Sequence, residues 1–280
     1  MPSLPAKRST ASDRLRLRRS SALALIRSLA RGSIDVLITD PPYSTVDRRR
    51  SPGSHLQRWF GGSLTWPQIG HVLALARPKL ARGGVVFVMT NQAGLESALR
   101  AMRGAGFDEP IRVISWDKQA PGLGGGLRHQ VEHILVGRVP GSRTLTGSDL
   151  VSVAAVGPNT AGRYPTQKPD GLGRALAQMA DVTSRDTVVD PFCGSGALLV
   201  GAAERGATVI GSDISAYAIA LARERLAVRL RGGRNGIVVR QAKPSLEGRR
   251  TAGTPAYRKS AQKRPSPVRG WLLNLWRGRP

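Results

Sequence analysis

The chain has 280 residues, room for one domain of ordinary to generous size with tails, which excludes two full domains. Forty per cent of it is apolar, yet 43 Lys and Arg stand against 18 Asp and Glu, for a formal net charge of +25. That excess repels itself in a compact state unless a polyanion relieves it, which points to a phosphate-bearing partner, although codon drift in a GC-rich genome produces surplus arginine as well.

In chain order, residues 1–20 are rich in Ser, Arg and Lys and lack periodicity, and they read as a basic flexible arm. The stretch 21–30 is interrupted by Arg27 and reads as an amphipathic helix rather than a signal peptide. Short, mostly β-branched runs then predict strands over Ile34–Thr39, Val85–Thr90, Ile111–Trp116, Val131–Val136, Thr187–Asp190, Ala207–Gly211 and Gly236–Arg240. Helical patterns fall between them at Trp66–Ala81, Ala93–Ala105, Asp170–Ala180, Ala197–Arg205 and Ser215–Arg229.

Such alternation predicts an α/β fold, a mostly parallel sheet with helices on both faces. The Gly-rich link 121–127 is a poor crossover helix, so Ile111–Trp116 and Val131–Val136 are expected to pair as an antiparallel hairpin. These elements place one domain at 21–242, followed by a basic, flexible tail at 243–280. No apolar run reaches the roughly 18–20 residues of a membrane span. His129 and His133 fall too far apart along a strand to share a metal, and the lone Cys193 excludes disulfides within the chain and reads as a small buried filler, so no metal is expected.

Two turns carry the chemistry. Asp40-Pro41-Pro42-Tyr43 ends one strand, and Asp190-Pro191-Phe192-Cys193-Gly194-Ser195-Gly196 ends another and opens a helix. Parallel α/β sheets collect ligands where strands open into loops. Glycine lets a backbone approach a ligand closely, but Leu199 occupies the third position of a G-x-G-x-x-G dinucleotide fingerprint, which weakens a dehydrogenase reading. Asp213, one helix and one strand further on, is placed to accept ribose hydroxyls.

In that order the two motifs resemble those of the permuted, β-type DNA amino-methyltransferases, class I enzymes dependent on S-adenosyl-L-methionine; the resemblance covers Ser21–Leu230. It implies a Rossmann-like, seven-stranded sheet with one antiparallel hairpin. It also implies a site-specific DNA-methyltransferase that methylates an exocyclic amino group of a flipped base, adenine N6 ahead of cytosine N4, since Asp rather than Ser opens the catalytic turn. Asp40, Pro41, Pro42 and Tyr43 would be catalytic. Asp190, Phe192, Gly194, Ser195, Gly196 and Asp213 would bind the cofactor, with Thr166 and Lys168 of the segment Pro165-Thr166-Gln167-Lys168-Pro169 closing over its carboxylate. Trp116-Asp117-Lys118 and Glu132-His133 are further landmarks, and 139–163 is a short target-recognition region.

Arg48, Arg49, Arg50 and Arg58 follow the catalytic turn and are expected to grip phosphates of duplex DNA. The resemblance further implies a bacterial or phage protein of the cytoplasm. A homodimer is compatible with it, and whether a restriction endonuclease accompanies the chain is left open. RNA base methylation and a basic DNA-binding protein with a decayed methyltransferase domain are the competing readings.

Overall fold

The computed structural model describes residues 13–43, 63–107, 111–122, 126–141, 143–156, 164 and 167–232. They form eight strands: β1 (Leu15–Arg19), β2 (Ile34–Thr39), β3 (Leu80–Thr90), β4 (Arg112–Asp117), β5 (Val131–Arg138), β6 (Leu150–Ser152), β7 (Thr187–Asp190) and β8 (Thr208–Asp213). Six helices accompany them: α1 (Ala22–Ser28), α2 (Trp66–Ala76), α3 (Leu95–Gly104), α4 (Asp170–Met179), α5 (Val200–Glu204) and α6 (Ala216–Gly232).

The strands make one sheet in the order β1-β8-β7-β2-β3-β5-β4-β6. Only β5 runs against its neighbours: it is antiparallel to β3 and β4, and every other pair is parallel. The expected hairpin of β4 and β5 is therefore present, with β5 inserted beside β3.

The central strands are apolar on both faces because helices cover both. Val36, Ile38, Val85, Phe87 and Met89 point into one core with Leu172 and Leu176 of α4, Val200 of α5 and Leu226 of α6. Their alternates Leu37, Val86 and Val88 enter a second core with Leu25 of α1, Leu73 of α2 and Met102 of α3. The period of two in a strand divides these side chains cleanly between the two helix layers.

Several expectations about elements change: the sheet has eight strands where seven were expected, β3 begins at Leu80, and Ala197–Leu199 is a 3-10 turn ahead of α5. Leu15–Arg19, read as part of a flexible arm, is strand β1, in parallel register with β8; Leu17 is buried while Arg16, Arg18 and Arg19 face out. The helix from Trp66 stops at Ala76 rather than Ala81, because Pro78 cannot donate a helical hydrogen bond, and a 3-10 turn over Arg77–Lys79 leads into β3. Its start is a capping box, with Thr65 and Gln68 each satisfying the other's backbone N–H. Within 139–163 a three-residue strand, β6, lies parallel to β4. The expected strand Gly236–Arg240 lies outside the described residues.

Candidate active site

Parallel pairing of β2 with β7, and of β7 with β8, brings their carboxyl ends to one edge of the sheet. Asp40, the elbow 190–196 and Asp213 therefore gather there, although far apart in sequence. A buried hydrogen bond ties the first two together: Thr39 Oγ1, the residue before Asp40, donates to Asp190 Oδ1 at 2.9 Å.

The elbow is bonded both to itself and to β8. Phe192 N–H donates to Asp190 Oδ1 at 2.9 Å, Gly196 N–H to the Cys193 carbonyl at 2.7 Å, and Cys193 N–H to the Ser212 carbonyl of β8 at 2.9 Å. Asp190 is almost wholly buried, and burial pushes its carboxyl up to about 8 against the lowering effect of these bonds. Gly194 and Gly196 adopt φ +49° and +79°, the left-handed region that favours glycine.

The two glycines face different neighbours. A Cβ on Gly196 would lie 3.1 Å from Ala222 and Leu226 of α6, so its bareness serves helix packing. A Cβ on Gly194 would lie 3.2 Å from the ring of Tyr164, a buried side chain that the sequence reading overlooked. Burial, and then the negative charge of Asp213, raises the Tyr164 phenol above its ordinary range. Ser195 and Cys193 are buried, and Cys193 fills space against Gly211 as a small apolar group would.

Asp213 accepts the N–H of Gly194 at 3.1 Å on one oxygen and that of Ser215 at 2.8 Å on the other. The backbone N–H of Ile214 bonds to this carboxylate as well. Burial raises this carboxyl as well, opposed by its backbone hydrogen bonds. An acceptor held rigidly at the end of β8, one strand from a glycine elbow, fits the two hydroxyls of a ribose, so the residues present suit a nucleoside-containing cofactor.

In the Asp-Pro-Pro-Tyr turn, Tyr43 N–H donates to the Pro41 carbonyl at 2.8 Å and Leu64 N–H to the Pro42 carbonyl at 2.7 Å. One Pro41 lone pair is thus taken and one remains. The Tyr43 ring stacks on Trp66, centroids 5.4 Å apart and planes 20° from parallel. Burial, and then the charges of Asp40 and Glu132, pushes its phenol well above the ordinary range, while a hydrogen bond from the Asn91 backbone pulls the other way.

Asp40 has an unexpected partner. Lys168, expected on the cofactor side, sets its Nζ 2.5 Å from Asp40 Oδ2 and 3.7 Å from Glu132 Oε2, while Lys118 lies 3.4 Å from Glu132 Oε1. The result is a chain of alternating charge, Asp40–Lys168–Glu132–Lys118, whose side chains are only 14–23 % exposed and so little screened by water. Burial raises the Asp40 carboxyl while Lys168 opposes the rise; for Lys168 itself the two carboxylates outweigh burial and hold the ammonium above its ordinary value. Trp116 lies under the same ammonium, 6.0 Å from ring centroid to Nζ.

Lys168 is anchored through its neighbour, since Gln167 Oε1 accepts from Arg225 of α6 at 2.7 Å. Glu132 and Lys118 also line a cavity of about 240 Å³ with Asn91, Gln92, His129 and Val131. Glu132 opens an apolar strand, where an acid is costly unless paired; that was the available sequence signal for its importance. Arg48, Arg49, Arg50, Arg58 and Thr166 lie outside the described residues.

The arrangement has known counterparts. A family model described as UPF0020, RMKL-like, methyltransferase domain, matches residues 164–244. The chain is 25% identical over 238 residues to the type II methyltransferase M2.LlaDCHI of Lactococcus lactis subsp. cremoris, covering 74% of this chain and 87% of that protein. A shorter match, 35% identical over 63 residues, is to the tRNA (guanine(10)-N2)-dimethyltransferase of Methanothermobacter thermautotrophicus, covering 22% of this chain and 19% of that one. A structure from Thermus thermophilus, provisionally named a DNA modification methylase and solved with S-adenosyl-L-methionine, superposes with a TM-score of 0.55 at 22% identity over 78% of this chain and 96% of its own, a likeness of fold. Over most of its length the chain is thus similar to type II methyltransferases, and it shares the fold of solved methyltransferase structures.

Proposed function

We propose that the chain is an S-adenosyl-L-methionine-dependent DNA methyltransferase that methylates an exocyclic amino group of an extruded base, adenine N6 ahead of cytosine N4. The observation that carries this reading is the Thr39–Asp190 hydrogen bond, which joins the ends of β2 and β7 from which the Asp-Pro-Pro-Tyr turn and the glycine elbow lead.

When bound, the cofactor supplies an electrophilic methyl group on a sulfonium. Asp213 would hold its ribose, with Asp190, Phe192, Gly194, Ser195 and Gly196 shaping the methionine end and Thr166 closing over it. The amino nitrogen of a base is a poor nucleophile because its lone pair is delocalised into the ring. Asp40 and the remaining lone pair on the Pro41 carbonyl would accept its two N–H bonds and localise that pair on nitrogen. Pro42 stiffens the turn that aims this carbonyl.

On accepting the methyl group the amino nitrogen would become positively charged, and Asp40 or water would take the proton it sheds. A carboxyl raised by burial is the better acceptor. Trp66 occupies one face of Tyr43, and the other face is where an extruded base would stack, as extrusion from the duplex requires. Arg48, Arg49, Arg50 and Arg58 would neutralise phosphates beside the turn. The preference for adenine follows from Asp at position 40 in the resemblance.

The tRNA dimethyltransferase match favours a second reading, methylation of a base in RNA. Incubation with tritiated cofactor separates the two: label is expected in duplex DNA, and uptake confined to structured RNA would replace the first reading by the second. Sequencing of methylated positions in DNA from expressing cells then reports base, atom and context, and methyl groups found only on cytosine N4 would reverse the preference.

A further inference from the structure

We propose that Glu132 is a positioning residue for the transfer: it offers Lys168 a second seat, so that the ammonium leaves Asp40 when the amino group of the target arrives. The inference rests on the function proposed above. Lys168 Nζ sits 2.5 Å from Asp40 Oδ2 and 3.7 Å from Glu132 Oε2, and a movement of about 1 Å brings it to the usual length of a charge-assisted hydrogen bond with Glu132.

That second oxygen is ready to receive it. Glu132 Oε1 faces Lys118 at 3.4 Å, whereas the buried Oε2 meets Lys168 only at 3.7 Å, longer than a full hydrogen bond. A buried acceptor left in this state is unfavourable, so the movement satisfies one oxygen as it releases another. Glu132 also lines the cavity of about 240 Å³, so its carboxylate is not packed solid on every side.

The need for a second seat is electrostatic. With Lys168 on Asp40, the carboxylate is neutralised where positive charge builds on the attacking nitrogen. With Lys168 on Glu132, Asp40 keeps its charge and its acceptor oxygen, and the ammonium stays paired at every point. No proton need move, because Lys168 is charged in both seats.

The experiment uses the full chain and four proteins: wild type, Glu132→Gln, Lys168→Met and the double variant, assayed on duplex DNA, with cofactor affinity measured by calorimetry. Glu132→Gln is expected to lower kcat roughly 10- to 100-fold, the scale of a small misplacement at a reacting centre. Cofactor Kd should stay unchanged, and in the Lys168→Met background the same substitution should lower kcat no further.

A wild-type kcat in Glu132→Gln, equal losses in both backgrounds, or a weakened cofactor Kd would each overturn the assignment. Should Glu132→Gln fail to fold, Glu132→Asp keeps the charge but draws it back from Lys168: a lowered kcat with unchanged cofactor Kd supports the proposal and a wild-type kcat overturns it. If the wild type transfers no methyl group to DNA, the proposed function itself falls and takes this inference with it; failure among the variants alone leaves that function standing.

Discussion

The two turns that meet in the cleft are held in opposite ways. The elbow after β7 is tied by its own main chain, by Thr39 and by the backbone of β8. The turn after β2 keeps its form through two main-chain bonds, and its carboxylate is held by Lys168, 128 residues away in sequence. One half is fixed by its own hydrogen bonds. The other is set by a charge that must be shared. Substitutions in the elbow should therefore be read in stability, and those in the turn in rate.

The sharpest way to break this contrast is Asp40→Asn, which keeps the shape and removes the charge. We expect kcat to fall about 10²–10³-fold while calorimetry finds cofactor affinity intact; retained activity would remove Asp40 from the chemistry.

Asp190 tests the other half. Its carboxyl is raised to about 8 in the folded protein, whereas an unfolded chain ionises near 4. Between those values the unfolded state releases the proton and the folded state keeps it, so this group removes stability as pH rises from about 4 to about 8 and adds no further change above. Thermal midpoints of Asp190→Asn should accordingly gain on the wild type across that window. A constant difference would mean that Asp190 is already ionised in the fold.

Gly196→Val forces a side chain into the left-handed region and against Ala222 and Leu226, which should destabilise by about 2–4 kcal/mol in urea unfolding. An unchanged midpoint would show that the elbow yields more readily than its bonding suggests. The mildest change is Tyr43→Ala, expected to weaken productive binding of DNA by about 1–3 kcal/mol, the worth of one stacked base. It should appear in KM with cofactor affinity untouched, and a loss of cofactor binding would blur the division between the halves.

How much of this can be read from the chain alone follows from what each residue depends on. Strands β2, β3, β7 and β8 are largely buried on both faces, so their mostly apolar runs announce them. The antiparallel β4–β5 pair was implied by a link too rich in glycine to be a helix. Strand β1 was missed because only Leu17 is buried, and the Leu15-Arg16-Leu17-Arg18 alternation was submerged in basic composition. Three-residue β6 carries too little pattern to detect.

In the site, Asp40, Asp190 and Asp213 were visible because each ends a strand. The pairing of Lys168 with Asp40 and Glu132 was not, since it depends on β5 running backwards beside β3 and bringing its first residues to the cleft edge. A lysine's partner is set by adjacency in space, which no local spacing encodes.

The two ends of the sheet are finished differently. At one, β1 presents Arg16, Arg18 and Arg19 to solvent; at the other, β6 is only three residues long. Like charges facing each other oppose strand addition at the first, and a template that short offers few main-chain bonds at the second. Among the described residues, then, neither margin of the sheet favours self-association by strand addition.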